Sequence, residues 1–249
     1  MVQTKQSFEP PDRPAVTVDV VIFTLREREV HVLLLKRRYP PFADQWAIPG
    51  GFVKLDEPLD QAARRELEEE TGLHDVYLEQ LYTFGAPDRD PRMRVISVAY
   101  FALVRADVQQ IRGSHESSEV QWFAVKALPQ PLAFDHDQIM RFALDRLRSK
   151  LEYTTLAFQL LPEVFTLPEL KQTYEQILGE KELDRGNFYR KIKEAGVLES
   201  VGKQRESGGR PAALYRFQAN RRDNDFVFRW REARIEPRGE GAVDDAVRD

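Results

Sequence analysis

The strongest constraint on this chain is a group of acidic residues on one short helix. Residues 58–71 carry apolar side chains at helical spacing, begin with a proline that suits a first turn, and are followed by Gly72, which suits a helix end. Glu66 and Glu70 are four residues apart and Glu69 is three from Glu66, so three carboxylates project from one side. Like charges this close destabilise an isolated helix unless cations occupy the site. The spacing therefore predicts a metal site.

The residues that flank these carboxylates support the same prediction. Arg65 can reach back to Glu57 across the intervening loop and hold loop and helix in register, while Gly50 and Gly51 let backbone carbonyls approach a metal. A solvated acidic helix face, which is the alternative, would leave these neighbours unexplained. Hard Mg²⁺ or Mn²⁺ binds carboxylates together with substrate phosphates. Such a cluster can neutralise a diphosphate and lower the pKa of an attacking water.

Length and composition limit the possible classes of protein. A chain of 249 residues is long enough for two domains. With 42% hydrophobic and 31% charged residues and a net charge of -4, the whole chain has no nucleic-acid signature, so any basic surface must be local. The lack of cysteine excludes disulfides, thiolate metal sites and thiol nucleophiles. No segment approaches the roughly 20 apolar residues of a membrane span, and we expect a cytoplasmic protein.

The first half of the chain has the pattern of an α+β domain. Two apolar runs, at residues 16–25 and 30–36, are separated by a charged turn and predict a hairpin. Further strands are predicted at 76–84, 94–104 and 120–125, and a further helix at 135–151. A mixture of mostly antiparallel strands with few helices is typical of the α+β class.

Helix signals dominate the second half. Thr166 and Glu169 match a capping box with a proline in the first turn, and Gly179 ends that helix. Asp184 is expected to cap a second helix that ends at Gly196. Two strands are predicted to follow, at residues 197–201 and 213–217. Helix, turn, helix and hairpin is the order of a winged helix. The predicted boundaries are a flexible N-terminus at 1–14, domains at 15–150 and 151–232, and a disordered tail at 233–249.

The run from Gly51 to Leu73 fits the Nudix box, GX5EX7REUXEEXGU, at every constrained position. Residues 16 to about 148 therefore resemble a Nudix hydrolase domain. The resemblance implies a three-layer α/β/α fold with a mixed sheet, dependence on Mg²⁺ or Mn²⁺, and cleavage of a nucleoside diphosphate linked to another moiety. It also implies that the metal ligands are Glu66, Glu69, Glu70 and the Gly50 carbonyl. The general base in this family often lies outside the box, and the candidates here are Glu116 and Glu119.

Arginines near the expected cleft are candidates for binding substrate phosphate, because one guanidinium can donate two parallel hydrogen bonds to a phosphate group. They are Arg37 and Arg38 ahead of the box, and Arg89, Arg92 and Arg94 in the loop 85–94. This loop resembles the same region of Nudix proteins that recognise ADP-ribose, in which a proline downstream of the box marks the substrate. Pro87 lies near that place. Ordinary surface charge is the alternative for each arginine.

The second half of the chain is locally basic. Residues 181–230 hold twelve Lys or Arg against seven Asp or Glu, which suits a DNA backbone. On the second helix, Phe188 and Ile192 are expected to face the core and leave the polar side chains for a major groove. The wing, which is the segment 202–211 between the two predicted strands, is expected to touch phosphate or the minor groove. The predicted DNA-binding residues are Arg185, Asn187, Arg190, Lys193, Lys203, Arg205 and Arg210. The alternative is a winged helix used only for dimerisation or docking.

The order of these motifs, from about residue 16 to 230, resembles the Nudix-related transcriptional regulator family. The likeness is carried by Phe165-Thr166-Leu167-Pro168-Glu169-Leu170, Arg185-Gly186-Asn187-Phe188 and Gly209-Arg210-Pro211-Ala212. It implies a Nudix domain that senses an ADP-ribose-type ligand, a homodimer that binds operator DNA, and control of NAD or sugar-nucleotide metabolism. Many members have a degenerate box, whereas this chain keeps every box residue. Three hypotheses therefore stay open: regulation with hydrolysis, regulation alone, and hydrolysis alone.

Overall fold

The computed structural model describes residues 13–107, 111–179, 182–205 and 212–218. The strands are β1 (Ala15–Arg26), β2 (Glu29–Arg37), β3 (Trp46–Ala47), β4 (Gly50–Phe52), β5 (Tyr77–Phe84), β6 (Val95–Leu103), β7 (Ser117–Ala124), β8 (Val164–Thr166), β9 (Leu198–Arg205) and β10 (Ala212–Phe217). The helices are α1 (Leu59–Thr71), α2 (His136–Lys150), α3 (Leu167–Leu178) and α4 (Arg185–Ala195), with a 3-10 helix at Leu156–Leu160. The tail predicted at 233–249 and most of the predicted flexible N-terminus lie outside the described residues.

Strand β1 is the centre of a seven-stranded mixed sheet. It pairs in parallel with β6 and antiparallel with β2 and β4, while β5 and β7 extend the sheet from β6 and β2. The predicted hairpin is present, since Glu27 and Arg28 form a two-residue turn with φ angles of 49° and 64°. Residues 18–24 are all buried. Burial on both faces explains why this stretch of β1 is almost continuously apolar.

The side-chain alternation of β1 divides the first domain into layers. Val20 and Ile22 pack with Leu67 of α1, whereas Val21 and Phe23 belong to the core that includes α2. The sheet therefore lies between α1 and α2. This arrangement confirms the predicted three-layer α+β sandwich with a mixed sheet.

Helices α3 and α4 and a three-stranded sheet, in the order β8-β10-β9, form the second domain. The predicted capping box is present, because the Thr166 side chain accepts from the Glu169 amide and the Glu169 carboxylate accepts from the Thr166 amide at 2.7 Å. Asp184 caps α4 by accepting the Asn187 amide at 2.7 Å. Both helices end at a left-handed glycine, as predicted. The winged helix is confirmed, with β8 as an additional strand that the sequence did not predict.

The apolar cores of the two domains are continuous. Leu147 of α2 and the adjacent Leu151 share one buried cluster with Leu170, Tyr174 and Ile177 of α3. A hydrophobic interface restricts the relative motion of two domains more than a polar interface does. Among the helices that the structure describes, none is long and apolar enough to cross a membrane.

Candidate functional site

Helix α1 places the box carboxylates beside β4. Glu66 and Glu70 are buried, whereas the Glu69 side chain is 57% exposed. Glu70 accepts a hydrogen bond from the Gly50 amide at 2.8 Å. Burial raises the pKa of Glu66, and burial together with the charges of Glu66 and Glu116 raises the pKa of Glu70 to about 8. Buried carboxylates that repel one another are groups that a bound cation would stabilise.

Arg65 forms hydrogen bonds with three glutamates of the Nudix box. Its Nε and Nη2 atoms donate to the Glu57 carboxylate at 2.9 and 2.6 Å, so the predicted contact across the loop is present. Its Nη1 atom donates to Glu66 at 2.6 Å and to Glu69 at 3.1 Å. The hydrogen bonds from Arg65 lower the pKa of Glu57 to about 2. Arg65 thus fixes the loop against α1 and orients two of the three carboxylates.

The two glycines of β4 are required by close approaches from β1 and α1. A Cβ on Gly50 would lie 2.2 Å from the Val18 carbonyl oxygen, and a Cβ on Gly51 would lie 2.4 Å from Oε1 of Glu66. Gly51 therefore makes room for a carboxylate of the cluster. The sequence had suggested only that these glycines admit backbone carbonyls to a metal.

The chemistry of this donor set fits a hard divalent cation, because carboxylate and carbonyl oxygens are the ligands that Mg²⁺ and Mn²⁺ prefer. As placed, no three His, Asp or Glu side chains of the described residues form a preformed cage. The reason is that Arg65 draws Glu66 and Glu69 toward itself, while the Gly50 amide holds Glu70. The assignment of these ligands stays a prediction.

Two adjoining cavities of about 120 and 180 Å³ lie beside the box. The residues that line both are Arg37, Ile48, Gly50, Arg92 and Glu116. Arg89 and Phe134 line the first cavity, and Glu70 lines the second. We call the two cavities together the arginine pocket. Guanidinium groups next to buried carboxylates suit a ligand that brings both phosphate and a counter-cation.

The five candidate phosphate-binding arginines are divided by the structure. Arg37 and Arg92 line both cavities of the arginine pocket, and Arg89 lines one. Arg38 and Arg94 are exposed, line neither cavity, and each donates to a backbone carbonyl. The geometry therefore brings three of the five together.

Arg37 carries a charge that no carboxylate of the described residues pairs with. Its guanidinium donates to the carbonyls of Pro41 at 2.9 Å and Tyr39 at 3.5 Å, and lies 4.9 Å from the centre of the Phe134 ring. Burial, and then the charge of Arg92, lower the pKa of Arg37. A partly buried guanidinium held by carbonyls and an aromatic ring is suited to receive an anion.

Arg89 belongs instead to a buried ion-pair network. Its guanidinium bonds the Asp135 carboxylate at 2.6 and 3.0 Å and lies 3.4 Å from Asp19. His136 Nδ1 accepts the Ile48 amide at 2.9 Å, and burial lowers the pKa of His136. Asp19 and His136 were not predicted as site residues, although an aspartate inside the apolar run of β1 was a signal.

The two candidates for the general base lie in different places. Glu116 lines both cavities, and its charge contributes to the raised pKa of Glu66 and Glu70. Glu119 lies on β7 opposite Lys36 and lines neither cavity. The position of Glu116 at both cavities favours it as the general base, and this role stays a prediction.

Helix α4 presents cationic side chains to solvent. Phe188 and Ile192 are buried, as predicted, while Arg185, Arg190 and Lys193 are exposed. Arg190 also donates to Asn187 at 2.8 Å and to Glu194 at 3.1 Å. Of the residues predicted for the wing, Lys203 and Arg205 lie on β9, and Arg210 lies outside the described residues.

A three-layer domain with this carboxylate-bearing helix, joined to a winged helix, defines a Nudix protein with a DNA-binding module. Comparisons with known proteins agree. The NUDIX domain model matches residues 13–143, and the NrtR DNA-binding winged helix domain model matches residues 157–217. The ADPR responsive transcriptional repressor NtrR of Acinetobacter baylyi is 42% identical over 220 residues, with 86% of each chain covered.

Three further matches cover most of the chain or its first domain. An ADP-ribose pyrophosphatase of Methanocaldococcus jannaschii is 38% identical over 128 residues, covering 51% of this chain and 72% of the relative. Shewanella oneidensis NrtR complexed with a 27mer DNA is 35% identical with a TM-score of 0.72, covering 86% of this chain and 97% of that one. Its NUDIX domain complexed with ADP ribose is 37% identical with a TM-score of 0.52, covering 57% and 94%. The chain belongs to the Nudix hydrolase family and, within it, to the NrtR-type regulators.

Proposed function

We propose that this protein is a transcriptional repressor that binds ADP-ribose in the arginine pocket and operator DNA through α4 and the wing. The observation that carries the proposal is one continuous core joining a pocket of arginines and carboxylates to a helix with exposed cations. The repressor of Acinetobacter baylyi and the two Shewanella oneidensis complexes support both ligands. In this role the protein would act in the cytoplasm and control genes of NAD or sugar-nucleotide metabolism.

The pocket favours a diphosphate over a neutral ligand. Arg37 offers a guanidinium that forms no direct ion pair with a carboxylate of the described residues, and Arg92 lies over the rings of Phe52 and Phe134 at 5.7 and 5.9 Å. Arg89 is already bound by Asp135, and Arg92 donates to the Asp90 carboxylate at 2.8 and 3.1 Å. We therefore assign the main phosphate contact to Arg37, and positioning roles beside it to Arg89 and Arg92.

Hydrolysis of the same ligand is the second activity that we propose, because every residue of the box is present. Glu66, Glu69, Glu70 and the Gly50 carbonyl would hold Mg²⁺ or Mn²⁺, which when bound supplies charge neutralisation and a more acidic water. Glu116 would accept the proton of the water that cleaves the diphosphate into AMP and ribose 5-phosphate. A repressor that hydrolyses its effector would return to its ligand-free state. The pyrophosphatase of Methanocaldococcus jannaschii supports this activity.

A homodimer on a two-fold operator is part of the proposal. The DNA in the Shewanella oneidensis complex is a 27mer. Half-sites on one face of a duplex are about 10 base pairs apart, so a fragment of that length has room for two winged helices. In a homodimer with two-fold symmetry, each protomer presents the same exposed cationic side chains on its α4.

The test uses the full chain and a duplex selected from a random library with the wild-type protein. Fluorescence anisotropy measures DNA affinity with ADP-ribose, with ADP, and with ribose 5-phosphate, and chromatography follows AMP in samples with Mg²⁺. We expect ADP-ribose to weaken DNA binding at least about 5-fold, in the usual range of allosteric coupling. Absence of any sequence-preferring DNA binding would overturn the regulator. Absence of AMP, with Glu70→Gln as the inactive reference, would overturn the hydrolase.

A further inference from the structure

Helix α2 begins at the wall of the arginine pocket. The residue at its N-cap, Asp135, forms the ion pair with Arg89, and His136 in its first turn holds the Ile48 amide. The ring of Phe134, directly before the cap, lies 4.9 Å from the guanidinium of Arg37. A diphosphate that binds Arg37 must therefore act on the segment that starts α2.

The other end of α2 holds the winged helix. The Arg148 Nε atom donates to the Ile177 carbonyl at 3.0 Å, in the last turn of α3. The carbonyls of a helix end have no partner within the helix, so this donor stabilises the end of α3 from outside. Leu147, one residue earlier, is fully buried in the apolar cluster that includes Ile177.

The connection between the two ends is stiff. Helix α2 has 15 residues, a length of about 22 Å at about 1.5 Å per residue. Helix α3 in turn packs against α4, where the rings of Tyr174 and Phe188 meet edge to face at 5.4 Å. A displacement at the pocket end of α2 is therefore carried to the helix that faces DNA.

Room for such a displacement lies next to Arg148. A cavity of about 490 Å³ separates the β1–β2 turn and the end of β7 from the outer side of α3. Its lining includes Arg28, Lys126, Arg148, Gln172 and Gln176, together with the apolar Val30 and Val125. This open space beside α3 leaves room for α3 to shift relative to the first domain.

We infer that α2 couples the arginine pocket to the winged helix, and that Arg148 is the positioning residue through which ADP-ribose changes the affinity for DNA. This inference rests on the proposed function. In the part of the chain that the structure describes, Arg148 lines neither cavity of the arginine pocket and does not belong to α4, so its replacement separates coupling from binding.

The test compares Arg148→Ala with Arg141→Ala, which removes the same charge from an exposed position of the same helix. The coupling factor is the ratio of DNA dissociation constants with and without saturating ADP-ribose, in samples where chromatography shows the ligand intact. Calorimetry reports ADP-ribose affinity. We expect wild type and Arg141→Ala to show a factor of about 5 or more. Arg148→Ala should keep ADP-ribose affinity and fall below a factor of about 2.

Two results would overturn the inference, and they differ from each other. If Arg148→Ala keeps the wild-type coupling factor, α2 does not couple the domains through this contact, although the proposed function stands. If wild type itself shows a factor of one while binding both ligands, the proposed regulation fails as well. Should Arg148→Ala fold poorly, Arg148→Met keeps an unbranched stem but has no N–H donor for the Ile177 carbonyl, and must lower the factor likewise.

Discussion

The carboxylate of Glu66 fills the space in which a side chain of residue 51 would lie, since a Cβ on Gly51 would be 2.4 Å from Glu66 Oε1. Gly51→Ala should therefore displace Glu66 and lower hydrolysis of ADP-ribose on the order of 100-fold, as small misplacements of reacting groups do. The measurement is AMP release with Mg²⁺. Gly85→Ala is the control, because a Cβ there meets nothing nearer than 4.0 Å. Equal losses in the two variants would contradict the prediction.

The ion pair of Glu57 with Arg65 should give stability a specific pH dependence. The folded-state pKa of Glu57 is lowered to about 2 from 4.5, so its stabilisation is present above the unfolded pKa and is lost as pH falls through the folded one. Urea denaturation from pH 7 to 3 should therefore show wild type more stable than Glu57→Gln at neutral pH, with the gap narrowing below about pH 4.5. A gap that stays constant over this range would count against the ion pair. The exposed Glu68→Gln is the matched control.

His136 should contribute to stability through one buried hydrogen bond. Its Nδ1 accepts the Ile48 amide at 2.9 Å, and His136→Ala would leave that amide unpaired at a cost of about 1–3 kcal/mol. His115→Ala, at a side chain that is 87% exposed, should change the free energy of unfolding by less than about 0.5 kcal/mol. Denaturant titration measures both variants. Similar values for the two would show that the hydrogen bond has little effect.

The exposed cations of α4 should act mainly through DNA phosphate. Arg185→Ala and Lys193→Ala are each expected to weaken DNA binding and to lower the slope of log affinity against log salt by about one unit. Arg64→Ala, an exposed arginine on α1, should change neither quantity. Titrations at several salt concentrations supply the slopes. Unchanged slopes in both α4 variants would remove this helix from the DNA interface.

The sequence predicted the elements whose signals are local. The capping box of Thr166 and Glu169 and the left-handed Gly179 and Gly196 follow from neighbouring residues, and each is present. The contact of Arg65 with Glu57 could be predicted because both belong to one spaced motif. Local chemistry thus accounts for both domains and for the acidic helix.

Features that depend on distant contacts could not be predicted. Glu116 and Glu119 have the same side chain, but Glu116 lies in the turn before β7 and lines the pocket, whereas Glu119 lies within β7. Arg89 resembles the other loop arginines until the fold places Asp135 beside it, 46 residues later. The contact of Arg148 with Ile177 joins two domains, and the spacing of apolar residues in the sequence does not indicate such a contact.

The most direct test of the account is the affinity for ADP-ribose measured with and without operator DNA. Binding energies of two coupled sites are reciprocal, so each ligand must change the affinity of the other by the same factor. Calorimetry on the free protein and on its DNA complex should show ADP-ribose binding weakened by DNA at least about 5-fold, equal to the weakening of DNA binding by ADP-ribose. Equal ADP-ribose affinities in the two samples would contradict the claim that the pocket and the winged helix act as one unit.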